Sequence, residues 1–148
     1  MAPDRDRPAP PTTSTSVLVL TLARRVEAEL GAALAPLGLT VGRLGLLGHI
    51  SALPGISFSE LARMSGTSVQ SVHVAVKALV VGGLARDDSA RAGAASRIEL
   101  TDAGGRLLRE AKEVVAGVDR RVFGVEGDPV LRRIGAAVHA AFTEAAGD

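Results

Sequence analysis

Cysteine is absent from this 148-residue sequence. That excludes disulfides, thiolate metal ligands and a thiol-based redox trigger. Tryptophan and tyrosine are also absent, and Phe58, Phe123 and Phe142 are the only aromatic residues. The core must therefore be built from Leu, Val, Ile and Ala, and a strongly stacking ligand pocket is not expected. No apolar run reaches the length of a membrane span, and no signal-peptide pattern is evident. The expectation is a soluble cytoplasmic protein with no membrane partner. Charge of one sign is scarce too. The formal net charge is +1, which by itself gives little support for nucleic acid, because phosphate neutralisation needs local Lys or Arg.

Enzymatic signals are equally thin. His49, His73 and His139 fall in three separate predicted helices, and none has a His, Glu or Asp partner four residues away. Gly82-Gly83 and Gly104-Gly105 sit at helix boundaries and do not form a phosphate-cradling loop. No catalytic residues, metal or cofactor are expected, and the chain does not read as an enzyme.

What is present centres on residues 57 to 84. A helical pattern over about Ser59 to Met64 puts Leu61 and Met64 on one face. Ser65-Gly66-Thr67 interrupts it, and Gly66 can take the left-handed conformation of a sharp reversal. Thr67 or Ser68 can cap a second helix, in which Val72, Val76, Leu79 and Val80 recur at inward spacing before Gly82-Gly83. Two helices around a glycine turn form a helix-turn-helix, whose second helix enters the DNA major groove. Leu84 to Asp87 and Ser96 to Thr101 then read as two short strands joined by a small polar loop, that is, a wing.

The flanks follow the same logic. Residues 1–16 carry Pro3, Pro8, Pro10 and Pro11 and read as a tail. Arg5 and Arg7 there either touch phosphate or stay solvated beside Asp4 and Asp6. A first long helix runs from Val17 to Leu34, with Val19, Leu22, Val26, Leu30 and Ala33 on one face. Thr40 opens another to about Leu53, with Leu44, Leu47 and Ile50 inward. Gly42, Gly45 and Gly48 weaken it, each by about 1 kcal/mol relative to Ala, and would allow close helix approach. Ile56 to Phe58 reads as a third short strand. Thr101 or Asp102 caps a helix to about Phe123, striped by Leu107, Ala111, Val114, Val118 and Val122. Asp128-Pro129 starts the last helix, with Leu131, Ile134, Val138, Phe142 and Ala145 on one face.

The fold class is therefore mainly α with a small β wing: a winged helix-turn-helix with N- and C-terminal dimerisation helices. The division is a tail over 1–16, a dimerising helix over 17–38, a DNA-binding region over 39–101 and dimerising helices over 102–148. Two homes exist for the outer apolar stripes: a second copy of the chain, or packing into a helical monomer.

The order of these elements, with Ser59-Glu60-Leu61-Ala62, Leu79, Gly83-Leu84 and Leu100-Thr101-Asp102-Ala103-Gly104, resembles the MarR family of winged-helix transcriptional regulators. The resemblance covers roughly residues 17 to 146. It implies a homodimeric regulator, here expected to be a repressor, on a pseudo-palindromic double-stranded DNA operator. It also implies a small-molecule effector bound among residues 17 to 50, the start of the wing domain and the 102-to-123 helix.

With Val72, Val76 and Leu79 inward, Ser68, Gln70, Ser71, Val74 and Lys77 fall outward, with His73 beside them. Gln70 can pair with adenine, Ser68 and Ser71 with phosphates or bases, and Lys77 with a phosphate. Thr67 joins this leading edge, and Ser57 and Ser59 can meet the DNA backbone from the preceding helix. Arg86 and Arg97 flank the wing. Relatives usually carry Asp-x-Arg at the wing tip, with the arginine in the minor groove. Here the nearest match is Asp88-Ser-Ala-Arg91, one residue longer. Val69 and Val74 stand where the family commonly has basic or polar residues, and residues 57 to 109 hold seven Lys and Arg against five Asp and Glu. Two readings follow: Val74 packs on a thymine methyl, or DNA binding is weak and the module serves protein interaction.

Overall fold

The computed structural model describes residues 14–88 and 97–144. Six helices and one two-stranded sheet follow each other: α1 (Thr15–Leu34), α2 (Val41–Ala52), α3 (Phe58–Ser65), α4 (Val69–Val81), β1 (Ala85–Asp87), β2 (Ile98–Leu100), α5 (Asp102–Phe123) and α6 (Pro129–Glu144). A 3-10 turn over Ala35–Leu37 links α1 to α2, and Gly38 closes it at φ 68°.

Helix starts follow the predicted caps in most cases. The Thr40 hydroxyl accepts from the Arg43 N–H at 3.2 Å, and Asp128 accepts from the Val130 N–H at 2.7 Å. Thr101 does more than cap α5. Its hydroxyl accepts from the Gly104 N–H at 3.1 Å and donates to the Gly83 carbonyl at 2.6 Å. That single side chain ties the start of α5 to the turn after α4. A Cβ at Gly104 would overlap the Leu84 carbonyl oxygen, so only glycine lets α5 approach the root of the wing so closely.

The core lies inside the winged-helix region. Leu34, Leu47, Ile50, Leu61, Val72, Val76, Leu79 and Ile98 are fully buried, and Leu108 and Ala111 of α5 complete the cluster. β1 and β2 pair antiparallel, with Ala85 opposite Leu100 and Asp87 opposite Ile98.

Several expectations change in detail. The third strand is one bridge, between Ile56 and Ile98, because Phe58 already belongs to α3. Phe58 is buried, whereas Met64 is 41% exposed and Ala62 takes the inward place. Val80 is exposed at the edge of α4's apolar face, and Leu46 joins Leu47 and Ile50 inside. A Cβ at Gly45 or Gly48 would meet nothing within 4 Å, so neither position needs glycine for a close helix contact within the chain.

The outer helices are built differently. On α1, Leu22, Val26, Leu30 and Ala33 are half-buried, but Val19 is exposed along with Val17, Leu18 and Leu20. Helix α6 folds back on α5, where Gly135 sits against the Phe123 ring. None of its residues is buried, and Val130, Val138 and Phe142 are exposed. Among the described residues no single helix is long and apolar enough to cross a membrane. The α1 segment and α2 reach that hydropathy only as a pair bent by 74°.

Candidate nucleic-acid interface

The helix-turn-helix is held by local hydrogen bonds that also decide which side chains remain free. At the start of α3, Ser57 and Glu60 form a capping box. The Ser57 hydroxyl accepts from the Glu60 N–H at 3.2 Å, and Glu60 Oε2 accepts from the Ser57 N–H at 3.1 Å and from its hydroxyl at 2.9 Å. These bonds, the backbone one first, hold the Glu60 carboxyl below its usual value. The Ser57 N–H and hydroxyl, which were expected to meet the DNA backbone, are both engaged within the chain beside the Glu60 carboxylate. Ser59 remains exposed at the same end.

Gly66 makes the turn at φ 63°, and the Thr67 N–H donates to the Ala62 carbonyl at 3.1 Å. Ser68 caps α4, its hydroxyl accepting from the Ser71 N–H at 3.1 Å and lying 2.8 Å from the Ser71 hydroxyl. With Val72, Val76 and Leu79 inside, Gln70, His73, Val74 and Lys77 are exposed. His73 does not stand free. Its ring stacks on Phe58 with centroids 3.7 Å apart and planes 19° apart, joining α4 to α3. Val74 is 69% exposed.

The wing residues divide. Arg86 donates to Glu99 Oε2 through Nη2 at 2.8 Å and Nε at 3.3 Å, directly across the strand pair. That hydrogen bond, then the charge of Glu99, raises the Arg86 pKa. Arg86 is thus paired with its cross-strand neighbour, and its side chain stays 61% exposed. The Arg97 guanidinium lies over Gly55, where a Cβ would sit 3.4 Å from it. Arg91 lies outside the described residues. Glu60 and Phe58 are the positioning residues that the sequence reading left out. Serine followed three residues later by glutamate was the available signal for the first. Nothing local signals the second, since the stack is a tertiary contact.

Two depressions lie away from α4. One of about 300 Å³ opens between α2 and α5, with Leu44, Gly48, Leu108, Val115, Lys112 and Asp119 on its walls. It falls within the region expected for an effector. A larger groove of about 900 Å³ runs between α1, α5 and the loop before α6, lined by Leu22, Val26 and Leu131 with Arg25, Arg120 and Arg121. Among the described residues no group of three or more His, Asp or Glu is arranged to hold a metal ion.

A glycine-turned helix pair, a hairpin paired onto its base and accessory helices at both ends define a winged helix-turn-helix protein. The chain belongs to the MarR family. The family's sequence profile matches residues 37–93. The HTH-type transcriptional repressor Rv2887 of Mycobacterium tuberculosis (strain ATCC 25618 / H37Rv) is 37% identical over 96 residues, which is 64% of this chain and 69% of the relative. The crystal structure of Rv2887 in complex with DNA superposes with a TM-score of 0.74 at 26% identity, over 88% of this chain and 98% of that one. The complex of the same protein with salicylic acid gives 0.68 at 27%, over 88% and 98%. The repressor CouR bound to a 23-mer DNA duplex shares the fold, with a TM-score of 0.77 at 23% identity over 90% and 92%.

Proposed function

We propose that this chain is a homodimeric, sequence-specific DNA-binding transcriptional repressor released by a small-molecule effector. The observation that carries the proposal is α4. Its inner face is locked in the core, and its outer face offers Gln70, Val74 and Lys77 with no covering element among the described residues. Thr67, Ser68 and Ser71 stand at its leading end, and Ser59 stands at the start of α3. The DNA-binding region spans 39–101, and residues 17–38 and 102–148 carry dimerisation. The exposed apolar residues of α1 and α6 support that division. Two recognition helices related by a twofold axis suit a pseudo-palindromic operator with half-sites about one helical turn apart.

Rv2887 has been crystallised with salicylic acid and with p-aminosalicylic acid, both small aromatic acids. The α2–α5 depression has the size for such a molecule, and Lys112 supplies a cation for its carboxylate. Phe58, Phe123 and Phe142 do not line it, so apolar contact with Leu44, Leu108 and Val115 replaces stacking. The protein works in the cytoplasm and catalyses no reaction, as its repressor relatives suggest.

Fluorescence anisotropy tests this. The full chain should bind DNA selected from a random pool more tightly than scrambled DNA, and the advantage should persist while total affinity falls as salt rises. Equal affinity for both at every salt concentration would reject the proposal. Salicylate should weaken operator binding, and Lys112→Ala should blunt that response.

A further inference from the structure

We infer that Val74 reads the C5-methyl group of a pyrimidine in the major groove, so that each half-site contains a thymine whose methyl group is itself a recognition element. This rests on the DNA-binding reading above and names what the recognition helix recognises.

The argument begins with position. Taking α4 at 100° per residue, the buried Val72, Val76 and Leu79 define one side. Gln70, Val74, Lys77 and Val81 fall on the opposite side. Gln70 and Val74 are four residues apart, so they rise about 6 Å along one face, roughly the span of two base-pair steps. Gln70 stands nearer the N-terminal end, which enters the groove first.

Chemistry narrows what this face can read. Helix α4 contains no arginine, so the commonest bidentate contact to guanine is missing from it. His73 has its ring on Phe58, and the Ser68 and Ser71 hydroxyls face each other within the cap. Lys77 is one turn further on and suits a phosphate. On the face turned directly away from the core, the groups aimed at base edges are the Gln70 amide and the Val74 methyls, while Thr67 and Val69 stand at the leading end. A glutamine side chain matches adenine, and an apolar side chain matches the thymine methyl, so both favour A·T pairs.

Among the described residues nothing covers Val74. It is 69% exposed, and valine is a poorer helix former than alanine, lysine or glutamate at a solvent-facing position. An apolar group placed there gains only if another surface covers it. Thymine differs from cytosine in the major groove partly by that methyl, and 5-methylcytosine carries a methyl at the same place. Contact through the methyl therefore predicts that this position tolerates 5-methylcytosine better than cytosine.

The test uses the full chain and its selected operator duplex, with thymines replaced one at a time by uracil. One thymine per half-site should lose about fourfold in affinity when its methyl is removed, the value of burying one methyl-sized group. At that position, 5-methylcytosine opposite guanine should bind more tightly than cytosine. Val74→Ser should erase both differences while keeping the salt dependence, and its circular dichroism and melting should match the parent because the site is exposed. If binding is sequence-selective but indifferent to every uracil replacement, the methyl reading is overturned and DNA binding stands. If Val74→Ser keeps the full methyl sensitivity, another residue reads it and the assignment to Val74 is overturned. If no selective DNA emerges and binding shows no salt dependence, the DNA-binding reading fails and this inference falls with it.

Discussion

The winged-helix region and the outer helices use the same aliphatic residues to opposite effect. Between α2 and β2, Leu47, Ile50, Leu61, Val72, Leu79 and Ile98 are sealed within one chain. On α1 and α6, Val17, Leu18, Leu20, Val138 and Phe142 remain in solvent. The first region, completed by Leu34 of α1 and Leu108 and Ala111 of α5, closes its core within one chain and anchors α4 there. The second leaves its apolar side chains uncovered within the chain, and in the proposed dimer a second copy would cover them with a matching surface. Position in the fold, and not residue type, separates a leucine sealed in the core from one left in solvent.

The sharpest way to break that contrast is to damage each side separately. Leu61→Ala should destabilise the chain by about 2–5 kcal/mol, seen as a lower urea midpoint at unchanged slope. Val138→Asp with Phe142→Asp should leave the helical spectrum intact yet raise the dimer dissociation constant by roughly a hundredfold, from about 3 kcal/mol of lost burial. Sedimentation over a dilution series would read that effect. Equal loss of fold and assembly in both variants would erase the distinction.

Smaller effects test how the core positions the recognition helix. Phe58→Leu keeps apolar bulk but removes the ring under His73, and should cost about 1 kcal/mol beyond any area change. Glu60→Gln should have the least effect. The Glu60 carboxyl is held low by the Ser57 N–H and hydroxyl, so its stabilising contribution is present above the unfolded value near pH 4.5. It is lost as pH falls through the lower folded value. Melting temperature against pH should therefore fall less steeply below pH 4.5 in the glutamine variant.

Most helix boundaries were legible because caps and breakers act locally. Thr40, Ser68, Thr101 and Asp128-Pro129 were readable at their positions, and the inward spacing of Val72, Val76 and Leu79 holds to the residue. Faces at element ends were less legible. Met64 and Val80 continue the apolar period but are left exposed near the ends of α3 and α4. The free or engaged state of polar side chains was legible only in part. The capping box at Ser57 has a sequence signature, whereas the Arg86–Glu99 pair depends on strand register that thirteen residues of separation do not specify.

By itself the sequence determined the winged-helix order, the cysteine-free aliphatic core, the turn at Gly66 and the outward set on α4. Those follow from backbone preferences and hydrophobic period, which operate over a few residues. Tertiary structure alone decided that Phe58 supports His73, that Glu99 occupies Arg86, that Gly104 admits the Leu84 carbonyl, and that α2 and α5 leave a depression between them. Each of these depends on distances between segments far apart in the chain, and packing is what sets such distances.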